Sequence, residues 1–145
     1  MTIEPYLRTT QYYETDQMGV VHHANYIYWM EEARVDYMEK IGYGYDRAVA
    51  DGIDFALTGI TCQYKSMCRF REAIRIEVSI PKISPTRITV GYHMYGAEDG
   101  RLRFSAESEH CYFSAKKKRP VALNRELPEL YALFCALAQE VIGKK

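Results

Sequence analysis

Ile74, Ile76, Val78 and Ile80 alternate strictly with Arg75, Glu77 and Ser79, the period of a strand with one buried face. The alternation returns in Ile88, Val90, Tyr92 and Met94 and stops at the turn formers Glu98-Asp99-Gly100. Pro81 and Pro85 bracket the predicted connection between these two strands. Leu102, Phe104 and Ala106 then open a last long strand that is predicted to reach Ser114. Upstream, residues 57–67 and the tyrosine- and threonine-rich residues 6–13 are also β-prone. A sheet of this size has an inner face that another element must cover.

One long helical pattern is available to cover it. Ile27, Met30, Ala33, Tyr37 and Ile41 recur at steps of three and four and form an apolar stripe. Asn25 is the expected cap, because its side-chain oxygen suits an early backbone N–H. Gly42 stands where the helix needs a left-handed residue to stop. A second helical pattern spans residues 128–142, with Leu130, Leu133, Phe134, Leu137 and Val141 on one side. The order is strand, turn, long helix, strand meander and terminal helix. It predicts an α+β domain over residues 1–145, its antiparallel sheet curled around the long helix. A ferredoxin-like β-α-β-β-α-β arrangement fits poorly, since nothing helical separates the third and later strands.

Composition narrows the function classes. Apolar residues are 48% and charged residues 26% of the 145, an ordinary globular balance. Lysine plus arginine equals aspartate plus glutamate at 19 each, so no net field points to nucleic acid or a membrane surface. No apolar run approaches the roughly 20 residues of a membrane span. Residues 1–13 show neither the basic start nor the apolar stretch of a secretion signal. Cys62, Cys68, Cys111 and Cys135 lack CxxC or Cys/His ligand spacing, so they read as reduced thiols of a cytoplasmic protein with no metal. Thirteen tyrosines suit half-buried sheet surfaces and the walls of an amphipathic cleft.

The segment that carries chemistry is Thr15-Asp16-Gln17-Met18-Gly19-Val20-Val21-His22-His23-Ala24-Asn25-Tyr26. It puts a carboxylate in a tight loop just ahead of a helix N-terminus. The opening turn of a helix has N–H groups without intrahelical partners, and the macrodipole adds partial positive charge there. Such donors stabilise an oxygen that gains negative charge during acyl transfer, at a loss of about 3 kcal/mol when one is removed. A carboxylate facing them can activate water or attack the acyl carbon. Taken alone, Asp16 is ordinary turn chemistry and His23 an ordinary surface or core histidine.

The pattern Tyr-x-x-Thr-Asp-x-x-Gly-x-Val-x-His-x-x-Tyr, from Tyr12 to Tyr26, resembles hotdog-fold acyl-CoA thioesterases of the 4-hydroxybenzoyl-CoA thioesterase type. Within that type it is most similar to the Tol–Pal-associated (YbgC-like) subgroup. The likeness extends through Glu31-Glu32-Ala33-Arg34 on the helix and residues 60–69 of the second strand. It implies Asp16 as the catalytic carboxylate, acting as base or as nucleophile, with His23 in support. Gly19 would let the loop bend towards the thioester, and the backbone N–H near His23 would polarise its oxygen. Val21, Asn25 and Tyr26 would line the substrate. His22 departs from the aromatic residue common in the subgroup, and Asn25 from its usual serine.

The resemblance also implies a homodimer or homotetramer with sites at the subunit interface, and no cofactor beyond the coenzyme A of the substrate. Lys116, Lys117, Lys118 and Arg119 fall near where the family holds coenzyme A phosphates. A solvated charged turn and a nucleic-acid patch are the competing readings of that run. Arg69 and Arg71 are weaker phosphate candidates, and Tyr64 and Lys65 read as sheet surface. Hydrolysis of an acyl-CoA is therefore expected. An acyl-carrier-protein thioesterase and a catalytically silent acyl-CoA-binding protein are the alternatives.

Overall fold

The computed structural model describes residues 2–139 and 141–143. Six strands form one antiparallel sheet: β1 (Tyr6–Thr9), β2 (Ile53–Tyr64), β3 (Ala73–Ile83), β4 (Arg87–Gly96), β5 (Leu102–Ser114) and β6 (Arg119–Val121). The order across the sheet is β1-β3-β4-β5-β2, with β6 paired to the far end of β5. The long helix α1 (Asn25–Lys40) lies in the concave face. Short helices α2 (Tyr45–Ala50) and α3 (Leu123–Glu126), and the terminal α4 (Pro128–Leu137), close the end beyond it. A sheet wrapped around one central helix is the hotdog fold.

The period-two residues do what their spacing requires. Ile74, Ile76, Ile80, Tyr92, Met94 and Phe104 are buried against Trp29, Met30, Ala33 and Tyr37 of α1. The inner face is not wholly apolar. Arg34 of α1 donates to the hydroxyls of Tyr92 (2.9 Å) and Tyr45 (3.1 Å), and Tyr92 continues through Ser108 to His110 Nε2. Ser108 and His110 are fully buried.

Several expectations are corrected. The first strand stops at Thr9, and Tyr12–Glu14 form a 3-10 turn because the Glu14 carboxylate accepts the Gln11 N–H at 2.8 Å. Asn25 does not cap α1. It is already helical, Ala24 precedes it in αR conformation, and the Asn25 amide group turns back to the Glu14 carbonyl at 2.9 Å. Ile27 stays on the exposed side, and Tyr26 and Trp29 carry the buried stripe instead. Pro81 lies within β3, at a register shift between Ser79 and Lys82, because a proline has no N–H for the ladder.

The terminal helix ends at Leu137, short of the predicted 142. Its tail runs beside β3, with the Gln139 N–H on the Ile80 carbonyl and the Ile142 N–H on the Ile83 carbonyl. Glu140, within the predicted helix, lies outside the described residues. Helices α2 and α3 and strand β6 are additional to the sequence-based elements. Gly42 does end α1, at φ +87°.

Burial first, then the charge of Arg34, pushes His110 down from 6.5 to about 4, against the opposing Phe55 carbonyl. Between those values the unfolded chain binds a proton that the native imidazole refuses, so stability rises with pH across that window. Urea unfolding at fixed protein concentration is expected to lose stability steadily from pH 6.5 to pH 4. His110→Gln should flatten that slope; an unchanged slope in the variant would remove His110 as its origin.

Candidate active site

The loop ahead of α1 is fastened from beneath by Glu14. Its carboxylate accepts from Arg8 of β1 at 2.8 Å, from the Trp29 indole of α1 at 2.8 Å and from the Gln11 N–H. Arg8 also reaches Glu32 at 2.9 Å, and its guanidinium lies 4.7 Å over the Trp29 ring. Burial alone would raise the Glu14 pKa, but the hydrogen bonds from Arg8, Trp29 and Gln11 outweigh it and hold the carboxyl below its ordinary range. The Glu14 carbonyl accepts the His22 N–H at 2.8 Å as well as the Asn25 amide. Strand, loop and helix meet on this one residue.

Above that anchor, Thr15 bridges Val21, and residues 16–20 form a tight turn. The Asp16 N–H donates to the Val20 carbonyl at 2.9 Å, and the Gly19 N–H to the Asp16 carbonyl at 2.9 Å. Gly19 has φ +79°, a conformation that a side chain would strain. The Met18 N–H donates to Asp16 Oδ1 at 2.9 Å, so one carboxylate oxygen serves the turn. Oδ2 has no partner among the described residues, and the Asp16 side chain is exposed. Val21 is buried, its N–H on the Cys68 carbonyl at 2.8 Å.

His22 and His23 follow, both exposed, their rings 4.2 Å apart. The helix then opens with tight bonds, Asn25 N–H to the His22 carbonyl and Ile27 N–H to the Ala24 carbonyl. Among the described residues none accepts from the His23 N–H. The His23 carbonyl, in contrast, accepts from the Tyr64 hydroxyl at 3.0 Å. Asp16, Gly19, Val21, His23 and Asn25 thus share one short, closed segment at the mouth of α1.

The remaining site candidates fall elsewhere. Tyr26 is core, stacked on Phe104 at 4.9 Å. Burial raises its phenol well above the usual range, with Cys68 adding to the shift. Burial likewise holds the Cys68 thiol near 11, so this sulfur beside the loop is no thiolate at neutral pH. Arg69 sits next to the loop, bridged to Val20, with its side chain exposed.

Lys116, Lys117, Lys118 and Arg119 lie on or beside the exposed turn between β5 and β6, at the opposite end of the sheet. Tyr64, the residue held to His23, pairs with Phe104, whereas Ile53 at the other end of β2 pairs with Ser114. Ten residues of strand separate the two ends, or about 33 Å. Within one chain the basic turn and Asp16 do not meet. Lys117 is held by Glu126 at 2.6 Å, and Lys118 takes the left-handed position of the turn at φ +57°.

Sequence reasoning missed Glu14, Arg8 and Tyr64. Gln11 and Glu14 stand at capping-box spacing, a signal that was legible. Tyr64 continues the period-two run Ile60, Cys62, Tyr64, which marks it as facing the helix side. Among the described residues no three His, Cys, Asp or Glu side chains gather as metal ligands would.

Comparison with known proteins gives this arrangement a family. Residues 10–132 match the model of the Thioesterase-like superfamily, and the chain belongs to that superfamily. It is 28% identical over 124 residues to the putative acyl-CoA thioesterase YneP of Bacillus subtilis, across 86% of this chain and 89% of that one. It is 26% identical over 117 residues to the acyl-CoA thioester hydrolase YbgC of Escherichia coli, across 80% and 87% of the two chains. Among solved structures, a DHNA-CoA thioesterase from Staphylococcus aureus superposes with a TM-score of 0.86 at 28% identity, covering 94% of this chain and 91% of that one.

Replacing the buried carboxylate by an amide takes from Arg8 one of its two carboxylate partners and loosens the loop. Glu14→Gln is expected to destabilise the fold by about 3 kcal/mol, read as a shift in the urea midpoint. Midpoints equal to wild type would show that the anchor is dispensable.

Proposed function

We propose that the protein is an acyl-CoA thioesterase that hydrolyses a thioester to free acid and coenzyme A, within one hotdog domain spanning residues 1–145. The observation that carries this is the pairing of an Asp16 carboxylate oxygen without a partner with an unclaimed His23 N–H on the same closed loop. The thioester oxygen accepts from that N–H, where the macrodipole of α1 adds positive character. Asp16 acts on the opposite side, either deprotonating a water or attacking the acyl carbon to give a transient anhydride that water opens. Either way the C–S bond breaks, the sulfur leaves as coenzyme A, and one water enters the acid. The exposed His23 imidazole orients the water or substrate. Gly19 leaves the loop surface bare for the thioester to approach, with Val21, Asn25 and Tyr26 behind it. The residues require no cofactor besides the coenzyme A of the substrate. Within the superfamily, the Tyr12–Tyr26 pattern aligns the chain with the 4-hydroxybenzoyl-CoA type and its Tol–Pal-associated subgroup.

The working unit is a homodimer joined along β2, or a homotetramer of two such dimers. That twelve-residue strand is an edge of the sheet. Its helix-facing residues Leu57, Ile60 and Tyr64 remain 57%, 38% and 50% exposed, an apolar stretch that α1 of the same chain does not cover. Antiparallel pairing of β2 with the β2 of a second copy continues the sheet and covers this stretch. The two-fold then carries the partner's basic turn from the far end of its own sheet to the Tyr64 end of this one. Lys116, Lys118 and Arg119 pair there with coenzyme A phosphates across the interface, alongside Arg69 of the first copy. Four free cysteines support a reducing, cytoplasmic setting. No described helix is long and apolar enough to cross a membrane.

A thiol-release assay over a panel of acyl-CoAs tests the activity, with acyl-carrier-protein thioesters run alongside. Asp16→Asn is expected to lower kcat about a hundredfold or more, with the thermal midpoint retained. Full activity in that variant would break the site assignment. Mixed dimers test the arrangement across the interface. Lys116→Glu with Lys118→Glu should raise KM about tenfold. Pairing that chain with an Asp16→Asn chain rebuilds one intact site per heterodimer, restoring the wild-type KM. A KM that stays high in the mixture would place the turn's action within its own subunit or nowhere.

A further inference from the structure

Tyr64 is the last residue of β2, and its ring is fixed on two buried aromatics. It lies edge-on to Tyr26 at 5.3 Å and to Phe104 at 5.0 Å, which themselves stack at 4.9 Å. This seat delivers the hydroxyl to the His23 carbonyl at 3.0 Å. That carbonyl is open to an outside donor because the Ile27 N–H, which a regular α-turn would aim at it, bonds Ala24 instead. On the other side, the His22 N–H is held by the Glu14 carbonyl at 2.8 Å. The backbone is gripped immediately before and immediately after the His23 N–H, and among the described residues that N–H has no acceptor.

We infer that Tyr64 is a positioning residue for the reaction: by holding the carbonyl of the His23–Ala24 peptide, its hydroxyl restrains the backbone next to the His22–His23 peptide, whose free N–H then meets the thioester oxygen. The inference rests on the acyl-CoA reading above and adds to it a residue on a different strand. Burial, with Cys62 adding to it, raises the Tyr64 phenol above its ordinary range, so at neutral pH it is an O–H donor. A donor aimed in advance requires no rearrangement as charge develops, which is where such groups gain their effect. The bond also links the site to the edge strand. Whatever covers β2 therefore bears on the orientation of the amide.

Tyr64→Phe keeps the ring contacts and deletes only the hydrogen bond. We expect kcat to fall about tenfold, with KM within about twofold of wild type and the thermal midpoint unchanged. A direct readout uses acyl-CoA labelled with 13C at the thioester carbonyl, benzoyl or hexanoyl, whichever the wild type turns over faster. Bound to Asp16→Asn protein, its infrared carbonyl band should shift to lower frequency than in free solution. Adding Tyr64→Phe should shrink that shift. An unchanged kcat, or a carbonyl band identical with and without the hydroxyl, overturns the inference. So does a joint fall of kcat, stability and substrate affinity, which would make Tyr64 a structural strut. Failure of the parent reading appears separately, as full activity in Asp16→Asn.

Discussion

A carboxylate buried at the base of a loop holds this site together. Glu14 is 3% exposed, and a charge so placed costs several kcal/mol in lost hydration unless its oxygens are answered. Here they are answered by a guanidinium from β1, an indole from α1 and a backbone N–H from its own turn. Each partner comes from a different element, so the loop is held only while strand and helix are both in place. The exposed Asp16 and His23 consequently sit on a fixed platform. In the proposed reaction this spares the two residues the cost of being ordered during each turnover.

The two edges of the sheet are covered differently. On one side β1 covers only the start of β3, and the tail after α4 hydrogen-bonds to the rest. On the other side β2 runs for its full length beside β5 alone. An open edge with half-exposed apolar side chains is a template for a further strand. The site touches that edge through Tyr64. In the proposed dimer, association and chemistry would share this one piece of backbone.

The fold was legible because it rests on periodicity. Strict alternation in β3, β4 and β5 and a three-four stripe in α1 left few ways to bury both faces. Errors fell where a local rule met a tertiary contact. Asn25 has the chemistry of a cap, yet the Glu14 carbonyl is a better-placed partner for its amide. Pro81 normally ends a strand, yet a register shift lets β3 pass through it. Ile27 fits the helical stripe by spacing, but the sheet covers the adjacent strip where Tyr26 and Trp29 stand. The closed turn that carries Asp16, Gly19 and His23 ahead of α1 was readable from their order along the chain. Tyr64 and the Arg8–Glu14–Trp29 cluster join residues far apart in sequence, which a linear pattern does not connect.

By itself the sequence determined the element types, the helix-in-sheet architecture and the loop that carries the carboxylate, because these follow from local spacing and from side-chain type. Tertiary structure alone decided which backbone groups at the helix mouth are taken and which are left over. It also decided that the basic turn and the acidic loop stand at opposite ends of one chain. Both outcomes depend on strand register, a relation between distant segments that is set when the inner faces pack together.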